Sequence, residues 1–436
     1  LYGEFGSLEL VSRIRSMTAG KVIVLSGVAE ACGASVKNAS QLAVTEALAH
    51  CLKNDFTYAI YHDHLGVPES KIRDFLERQG FQPIYREENG LGTIYAVDMK
   101  FPITLFSDIE TTVKEPFNRL EKVQNAIAEA HNRIQWGLAR LYPGNLILNF
   151  DADVMNRRII DMITRENKVP NKPLPVRKLG EYMCVPFGKM LRGMAVPNTV
   201  TKALHTEKRF EPGINGFEIT EFPYYSPLVT QVRTIKSFRR PVILVDDLLH
   251  KGYRMRELDP ILRQEGVEVS KIIVGILSGR GKDLMALQGR EVDSVYFIPN
   301  LRSWFVESSM YPFLGGDGVR REGNHQNGIA NAGLIPSINL ILPYVAPRFL
   351  SDLPKSALYE FSLICLENAK SILTTLEEEY QRVYERNLTL NRLSEAVFSP
   401  RYPDKGLNMS YDLNLPPSVY VANDIELLKR LENIIR

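Results

Sequence analysis

Apolar segments, each long enough for one buried strand, alternate with helical patterns between residues 176 and 345. The strand candidates are Met183–Phe187, Val242–Val245, Ile272–Leu277 and Ser294–Ile298. Such alternation is typical of a parallel sheet, because a connection between parallel strands needs a crossover that is usually a helix. The sequence therefore predicts an α/β fold with a parallel sheet flanked by helices.

The chain of 436 residues is longer than one hydrophobic core usually organises, so several regions are expected. Strand and helix patterns predict a smaller N-terminal α/β unit over 1–108 and a helical connector over 109–175. The parallel-sheet region follows over 176–345, and apolar residues at helical spacing predict a helical C-terminal region over 346–436. The chain begins with Leu1, which indicates a piece of a longer protein with further domains, and homo-oligomerisation stays open.

The charge of the chain is nearly balanced, with 53 Lys and Arg residues against 51 Asp and Glu residues and a formal charge of +2. This balance predicts no nucleic-acid or membrane-surface binding by the molecule as a whole, so an anion site is expected to be local. No apolar run approaches the roughly 20 residues that span a bilayer. Widely separated cysteines predict reduced thiols in a cytoplasmic protein; they are Cys32, Cys51, Cys184 and Cys365.

The segment PVILVDDLLHKGYR, residues 241–254, places Asp246 and Asp247 directly after an apolar strand candidate. Carboxylates at a strand end suit ribose hydroxyls, and a loop that leads into a helix aims backbone N–H groups at a phosphate. The segment resembles the ribose-phosphate signature of type I phosphoribosyltransferases, which it matches at the acid pair and at Gly252. The resemblance implies that Asp246 and Asp247 are catalytic and that both bind Mg²⁺.

Cations replace the hydroxyl side chains of that family's loop. His250 and Lys251 stand where the family has a pair of Thr or Ser residues. Tyr253 replaces a small residue, and Arg254 replaces the last Thr. Because backbone amides remain and Lys251 and Arg254 carry suitable charge, the resemblance implies a phosphate-binding set of His250, Lys251, Gly252, Tyr253 and Arg254. The alternative is that the acid pair only caps the helix that follows.

Further cations follow other strand candidates, at the edge where open α/β sheets bind ligands. They lie in the stretches GKMLRG at 188–193, PNTVTKALHTEKRF at 197–210 and SGRGKD at 278–283. By the same resemblance, the expected pyrophosphate-binding residues are Lys189, Arg192, Lys202, Arg280 and Lys282. The alternative is that these cations lie on ordinary turns and face solvent.

The function implied by the resemblance is that of a phosphoribosyltransferase. Such an enzyme binds phosphoribosyl pyrophosphate or a ribose 5-phosphate nucleotide and exchanges a base with pyrophosphate, assisted by Mg²⁺. The expected partner is therefore a phosphorylated ribose small molecule. Because the phosphate loop is altered, two alternatives stay open: a non-catalytic sugar-phosphate or nucleotide-binding regulatory module, and an architectural fragment of a larger multidomain protein.

In the N-terminal unit, the segment SKIRDFLERQGF at 70–81 resembles part of the GNAT acetyltransferases, and the likeness covers residues 20–100. Phe75, Gly80 and Phe81 agree with that family's pattern, whereas Leu76 takes the position of its Tyr, the usual general acid. Leucine cannot give a proton, so no acetyl transfer is expected. The linkage of the two units loosely resembles large bacterial multidomain proteins labelled cytidyltransferase-related, although the sequence lacks the HxGH motif of cytidylyltransferases.

Overall fold

The computed structural model describes residues 12, 14–16, 20–25, 39–63, 70–86, 92–175, 178–191, 194–211, 213–320, 332–345, 353–405 and 410–435. The first elements are β1 (Lys21–Leu25), α1 (Ala39–Lys53), β2 (Phe56–Asp63), α2 (Ser70–Arg78), β3 (Gln82–Arg86), β4 (Thr93–Ser107), α3 (Ile109–Thr112), a 3₁₀ turn (Phe117–Arg119), α4 (Glu121–Leu141), β5 (Asn145–Asp151) and α5 (Ala152–Glu166).

The central elements are β6 (Met183–Pro186), β7 (Val200–Thr201), β8 (Thr206–Phe210), β9 (Phe217–Glu221), α6 (Leu228–Ser237), β10 (Val242–Leu249), α7 (Tyr253–Gln264), β11 (Val269–Ser278), α8 (Gly279–Leu287), β12 (Val292–Ile298), β13 (Ser303–Val306), α9 (Glu307–Met310), β14 (Asp317–Val319) and β15 (Ile335–Ile338). The last elements are α10 (Lys355–Tyr384), a 3₁₀ turn (Leu390–Arg392), α11 (Leu393–Ala396), β16 (Arg401–Pro403) and α12 (Pro417–Ile435).

The second sheet of the chain is parallel and has the strand order β12-β11-β10-β6-β7. Its middle strand β10 is buried on both faces: Val242 and Leu244 pack into one hydrophobic cluster, and Ile243 and Val245 pack into another. A strand covered on both faces reads as an unbroken apolar run, which is why the sequence pattern indicates it. The carboxyl ends of β10 and β11 lie at one edge of this sheet.

The first sheet is organised by the long strand β4, which pairs with different neighbours along its length. Residues 93–98 pair antiparallel with β2, and residues 93–96 pair antiparallel with β3. Residues 103–106 pair in parallel with β13, and residues 103–107 pair in parallel with β5. Because β13 follows the second sheet in the chain, backbone pairing links the N-terminal and central regions; the four-region division stays a prediction.

The third sheet is mixed and has the order β16-β15-β14-β8-β9. The strands β8 and β9 form an antiparallel hairpin, and β14 pairs in parallel with β8. This sheet brings residues from the central region and from the C-terminal region together. It also lies near the beginning of α7: Tyr253 of α7 contacts Phe217 of β9 edge to face, and the charge of Asp317 in β14 helps to raise the pKa of Arg254.

The helical C-terminal region packs on α4. Buried residues of α10, among them Phe361, Cys365, Ile372 and Leu376, lie in the same cluster as Ile134 of α4. The prediction of an α/β fold with a parallel sheet flanked by helices, a smaller N-terminal α/β unit and a helical C-terminal region is therefore confirmed. Within the described part of the chain, no helix combines the length and the apolar character needed to cross a membrane.

Candidate functional site

The acid pair lies inside β10 rather than beyond its end. Asp246 and Asp247 are 1% and 3% exposed, and β10 continues to Leu249 because Leu248 and Leu249 pair with β11. The chain after β6 passes directly over these carboxyl groups. A Cβ atom on Gly188 would lie 1.8 Å from Asp246 Oδ1, so only glycine allows this close approach.

Arg254 contacts both carboxyl groups of the acid pair. Its Nη1 atom donates to Oδ1 of Asp246 at 2.6 Å and to Oδ1 of Asp247 at 2.7 Å. The Arg254 side chain is 24% exposed, and both carboxylates are nearly fully buried, so solvent screens this interaction weakly. The guanidinium, expected at a phosphate, is thus directed at the acids, and its phosphate contact stays a prediction.

The two carboxyl groups differ in proton affinity although they are neighbours. Burial raises the pKa of Asp246 well above its usual range, the charge of Asp247 adds to that rise, and Arg254 offsets only part of it. Burial alone would raise the pKa of Asp247 as well, but Arg254 and the hydrogen bond with Asp246 outweigh burial and lower that pKa. The pair therefore combines one carboxyl that keeps a proton readily and one that stays ionised.

Two helices begin side by side after β10 and β11. Gly252 precedes α7 in a left-handed conformation, with φ of 65°, and its missing side chain leaves room for Leu284 of α8. Ser278 caps α8, since its Oγ accepts from the Gly281 N–H at 3.0 Å. The same hydroxyl donates to the His250 carbonyl at 3.2 Å, which ties the loop before α7 to the beginning of α8.

Basic side chains surround these helix beginnings. Burial lowers the pKa of His250, and the nearby charges of Lys251 and Arg280 lower it further. Lys251 and Arg280 are both exposed. The positive ends of two helices and three basic side chains thus share one edge of the second sheet, an arrangement that favours an anion.

The other predicted cations lie in different surroundings. Lys189 follows β6 and donates from Nζ to Ser309 Oγ at 2.8 Å. Lys202 is exposed beyond the edge strand β7, and Lys282 places its ammonium over the ring of Phe297 at 5.2 Å. Arg192 lies outside the described residues. The structure therefore brings His250, Lys251 and Arg280 together, and it holds Lys189 near the acid pair, where its charge helps to lower the pKa of Asp247.

Two charged residues of the third sheet also lie near the site: Lys208 belongs to the basic stretch 197–210 in which pyrophosphate-binding cations were expected, whereas Asp317 was not among the predicted site residues. Lys208 Nζ lies 3.2 Å from Oδ2 of Asp317 and 4.2 Å from the centre of the Phe210 ring. Burial alone would raise the pKa of Asp317, but Lys208, Lys189 and Arg401 outweigh it, and the pKa is lowered. Asp317 stands in the glycine-rich stretch FLGGDG, where no periodic pattern indicates which way a side chain points.

A histidine cluster lies at the carboxyl ends of β4 and β5. His131 Nδ1 is 2.8 Å from Ser107 Oγ and 2.9 Å from Glu307 Oε2, while Nε2 is 2.7 Å from Asn149 Nδ2. A serine nucleophile and its acidic partner would each need a different ring nitrogen. Because Ser107 lies closer to Nδ1, which Glu307 also contacts, than to Nε2, at 2.8 against 3.4 Å, this cluster has the character of a partly buried polar network.

Mg²⁺ at the acid pair can be tested against this geometry. The two Oδ1 atoms already contact a guanidinium, which places a fixed positive charge where a cation bound to both carboxylates would lie. The arrangement does not fit Mg²⁺ bound through these two oxygens, and the metal stays a prediction.

In the N-terminal unit, Leu76 is buried in the hydrophobic cluster that contains Phe81, so this position presents an apolar side chain to the core.

No family model and no curated protein sequence matches the chain. Among solved structures, the chain is similar to one described as the structure of the AQ2163 protein from Aquifex aeolicus. The two share 14% sequence identity, with 48% of this chain and 88% of that chain covered and a TM-score of 0.21.

Proposed function

We propose that the chain binds a phosphorylated ribose compound at the carboxyl edge of its second sheet. The observation that carries the proposal is the placement of His250, Lys251 and Arg280 at the beginnings of two adjacent helices, beside a buried acid pair. Helix beginnings and cations attract a phosphate, and carboxylates accept hydrogen bonds from sugar hydroxyls. The two halves of the site thus complement the two ends of such a ligand.

Binding without turnover is the better supported form of this proposal. Arg254 contacts both acids, so the carboxyl groups of Asp246 and Asp247 already have a counter-ion. A phosphoribosyltransferase is the second candidate, favoured by the position of two acids at the edge of a parallel sheet. Transfer chemistry at these acids would require Arg254 to release them.

We place the function in the cytoplasm, since Cys51, Cys184 and Cys365 are free and buried.

The experiment is a calorimetric titration of ribose 5-phosphate into the parent chain and into the double variant Lys251→Gln with Arg280→Gln. We expect the double variant to bind at least about tenfold more weakly, because hydrogen bonds to charged groups contribute about 1.5 to 3 kcal/mol each. The matched control is Lys370→Gln with Lys429→Gln, which removes two exposed positive charges from α10 and α12 and should keep the parent affinity. Equal affinity in the site variant and in the parent would refute the proposed phosphate position.

A second measurement separates binding from transfer. Pyrophosphate release from phosphoribosyl pyrophosphate is followed with and without Mg²⁺, in the presence of a mixture of purine and pyrimidine bases. We expect ribose 5-phosphate to bind and no pyrophosphate to appear above the rate without protein. Release that disappears in the variant Asp247→Asn would instead establish the second candidate.

A further inference from the structure

We infer that Asp108 is a positioning residue for Lys189, so that the first sheet forms part of the ligand site at the edge of the second sheet. The inference rests on the proposed function. It assigns a role in ligand binding to a residue 138 positions before Asp246 in the chain, at the carboxyl end of β4.

Asp108 is buried and holds the beginning of α9 through both carboxylate oxygens. Its Oδ1 atom accepts from the Ser308 backbone N–H at 2.9 Å, and its Oδ2 atom accepts from Ser308 Oγ at 2.6 Å. The hydroxyls of Thr111 and Thr112 donate to the Asp108 carbonyl at 2.8 and 3.0 Å. The carboxylate therefore has a fixed orientation, and so does the short segment that carries Ser308 and Ser309.

Ser309 connects this fixed segment to Lys189 by a hydrogen bond. Its Oγ atom accepts from Lys189 Nζ at 2.8 Å, and its carbonyl accepts from Asn339 Nδ2 at 3.0 Å. Oδ2 of Asp108 lies 4.0 Å from the same Nζ, so the acid adds an electrostatic attraction to the hydrogen bond from Lys189 to the serine. A lysine side chain has many rotamers, and these contacts restrict it to one position between the two sheets.

The ammonium held in this way faces the acidic half of the site. Lys189 is close enough to Asp247 and Asp317 to lower the pKa of both, and its side chain is 19% exposed. The side chain is thus partly open to solvent beside the acid pair, where its ammonium would donate to a ligand that reaches Asp247.

The test is a double-mutant cycle on ribose 5-phosphate affinity, with the variants Asp108→Asn, Lys189→Met and the combination. We expect each single variant to bind about tenfold more weakly and the combination to bind no more weakly than Lys189→Met alone, because Asp108 acts through Lys189. Asp98→Asn, which removes an acid from β4, the strand that Asp108 follows, is the control and should keep the parent affinity. Independent, multiplying losses in the combination would overturn the inference, as would an Asp108→Asn variant with full affinity.

A readout without ligand keeps this inference distinct from the proposed function. The rate at which an amine-acylating reagent modifies Lys189 is measured by peptide mass spectrometry in the parent, in Asp108→Asn and in Ser309→Ala. We expect faster modification in both variants, since each removes a contact that restrains the amine. If ribose 5-phosphate fails to bind the parent while both variants label faster, the proposed ligand is wrong and the positioning contact stands. Unchanged labelling in both variants would overturn the positioning contact itself.

Discussion

Nη1 of Arg254, the second residue of the helix that follows the acid-bearing strand, lies 2.7 Å from Oδ1 of Asp247. The arginine returns to a carboxylate seven residues earlier in the chain and also contacts Asp246. Both carboxyl groups are nearly fully buried, so the stability of the fold depends on their contact with Arg254. Removal of the arginine would leave an uncompensated buried charge. The stability of the second sheet edge and the availability of its acids for a ligand therefore depend on the same side chain.

Loss of Arg254 should destabilise the protein in a pH-dependent way. We expect Arg254→Ala to lower the free energy of unfolding by about 3 kcal/mol near neutral pH, the lower end for a broken buried pair, since the side chain is partly exposed. Without the guanidinium, both carboxyl groups have a raised pKa in the folded state. Such groups take up protons as the pH falls, so the loss should shrink from pH 8 to pH 5.

Urea denaturation of parent and variant at both pH values measures this difference. Arg256→Ala is the matched control, two residues further along α7, where the guanidinium lies over the exposed face of Tyr253 at 4.7 Å. We expect that control to lose no more than about 1 kcal/mol at either pH. A pH-independent loss in Arg254→Ala would mean that the variant acts through packing rather than through charge.

Replacement by alanine should destabilise the protein more at Gly252 than at Gly289, which has the same backbone conformation. Gly252 and Gly289 both have φ of 65°, but a Cβ atom on Gly252 would lie 2.1 Å from Leu284 Cδ2, and one on Gly289 would have no atom within 4 Å. We expect Gly289→Ala to cost about 1 kcal/mol from the left-handed backbone alone. Gly252→Ala should cost about 1 to 3 kcal/mol more, because the added methyl overpacks the contact between loop and α8.

Thermal or urea unfolding of the two single variants compares these costs directly. Leu284→Ala is then introduced alone and together with Gly252→Ala, which removes the atom that the new methyl would meet. The combination should lose less than the sum of its two parts. Equal costs for Gly252→Ala and Gly289→Ala would show that the leucine moves aside without penalty.

The sequence predicted the second sheet because its strands carry unbroken apolar runs such as Val242–Val245. It did not predict the third sheet, since β8, with the sequence TEKRF, has three consecutive charged residues, and β9, with the sequence FEITE, has only two apolar residues. Those charges are compensated across the sheet, as in the pair of Glu207 with Arg401, whose Nη2 donates at 2.5 Å. The partners are 194 residues apart, so no local pattern could indicate them.

Some residues of the candidate site were predictable from the sequence, but the contribution of Asp317 and the orientation of Arg254 were not. The acid pair and the basic loop both follow from the segment at 241–254, and the structure places them at the edge that such a segment predicts. A long side chain can point either way from a helix beginning, however, and only the three-dimensional fold shows that Arg254 turns toward the acids while Lys251 turns to solvent. The contribution of Asp108 depends on the approach of two separate sheets, which sequence spacing does not encode.

Anion binding should be linked to protonation of His250. Burial, Lys251 and Arg280 lower the pKa of this histidine in the free protein, so it is largely neutral near pH 7. A bound anion offsets the two cations and raises the pKa, so binding takes up a proton. Affinity should therefore increase as the pH falls from 8 to 5.5, by no more than about tenfold per pH unit, the limit for one proton.

Sulfate is the probe for this titration, because its charge stays constant over the range, whereas a phosphate monoester itself titrates near pH 6. Calorimetry is carried out on the parent and on His250→Gln, which keeps a polar side chain but cannot be protonated. The pH dependence should disappear in the variant. An identical pH dependence in both proteins would assign the proton to another group, such as Asp246, whose pKa is raised by burial.

The salt dependence of ligand affinity should distinguish the roles of Lys251 and Arg254, since Lys251 is exposed and Arg254 is held by the acids. Attraction between an exposed charge and a phosphate is screened as the Debye length falls from about 10 Å at 0.1 M salt to about 3 Å at 1 M. We therefore expect ribose 5-phosphate affinity to fall with salt in the parent and to fall less steeply in Lys251→Thr. Lys251→Arg keeps the charge and should retain the parent slope.

Arg254→Thr, studied where it remains folded, should leave the slope unchanged even if it changes the affinity, because the guanidinium of Arg254 contacts carboxylates rather than the ligand. A flattened slope in Arg254→Thr with an unchanged slope in Lys251→Thr would reverse the assignment, and Arg254 would then be the residue that meets the phosphate.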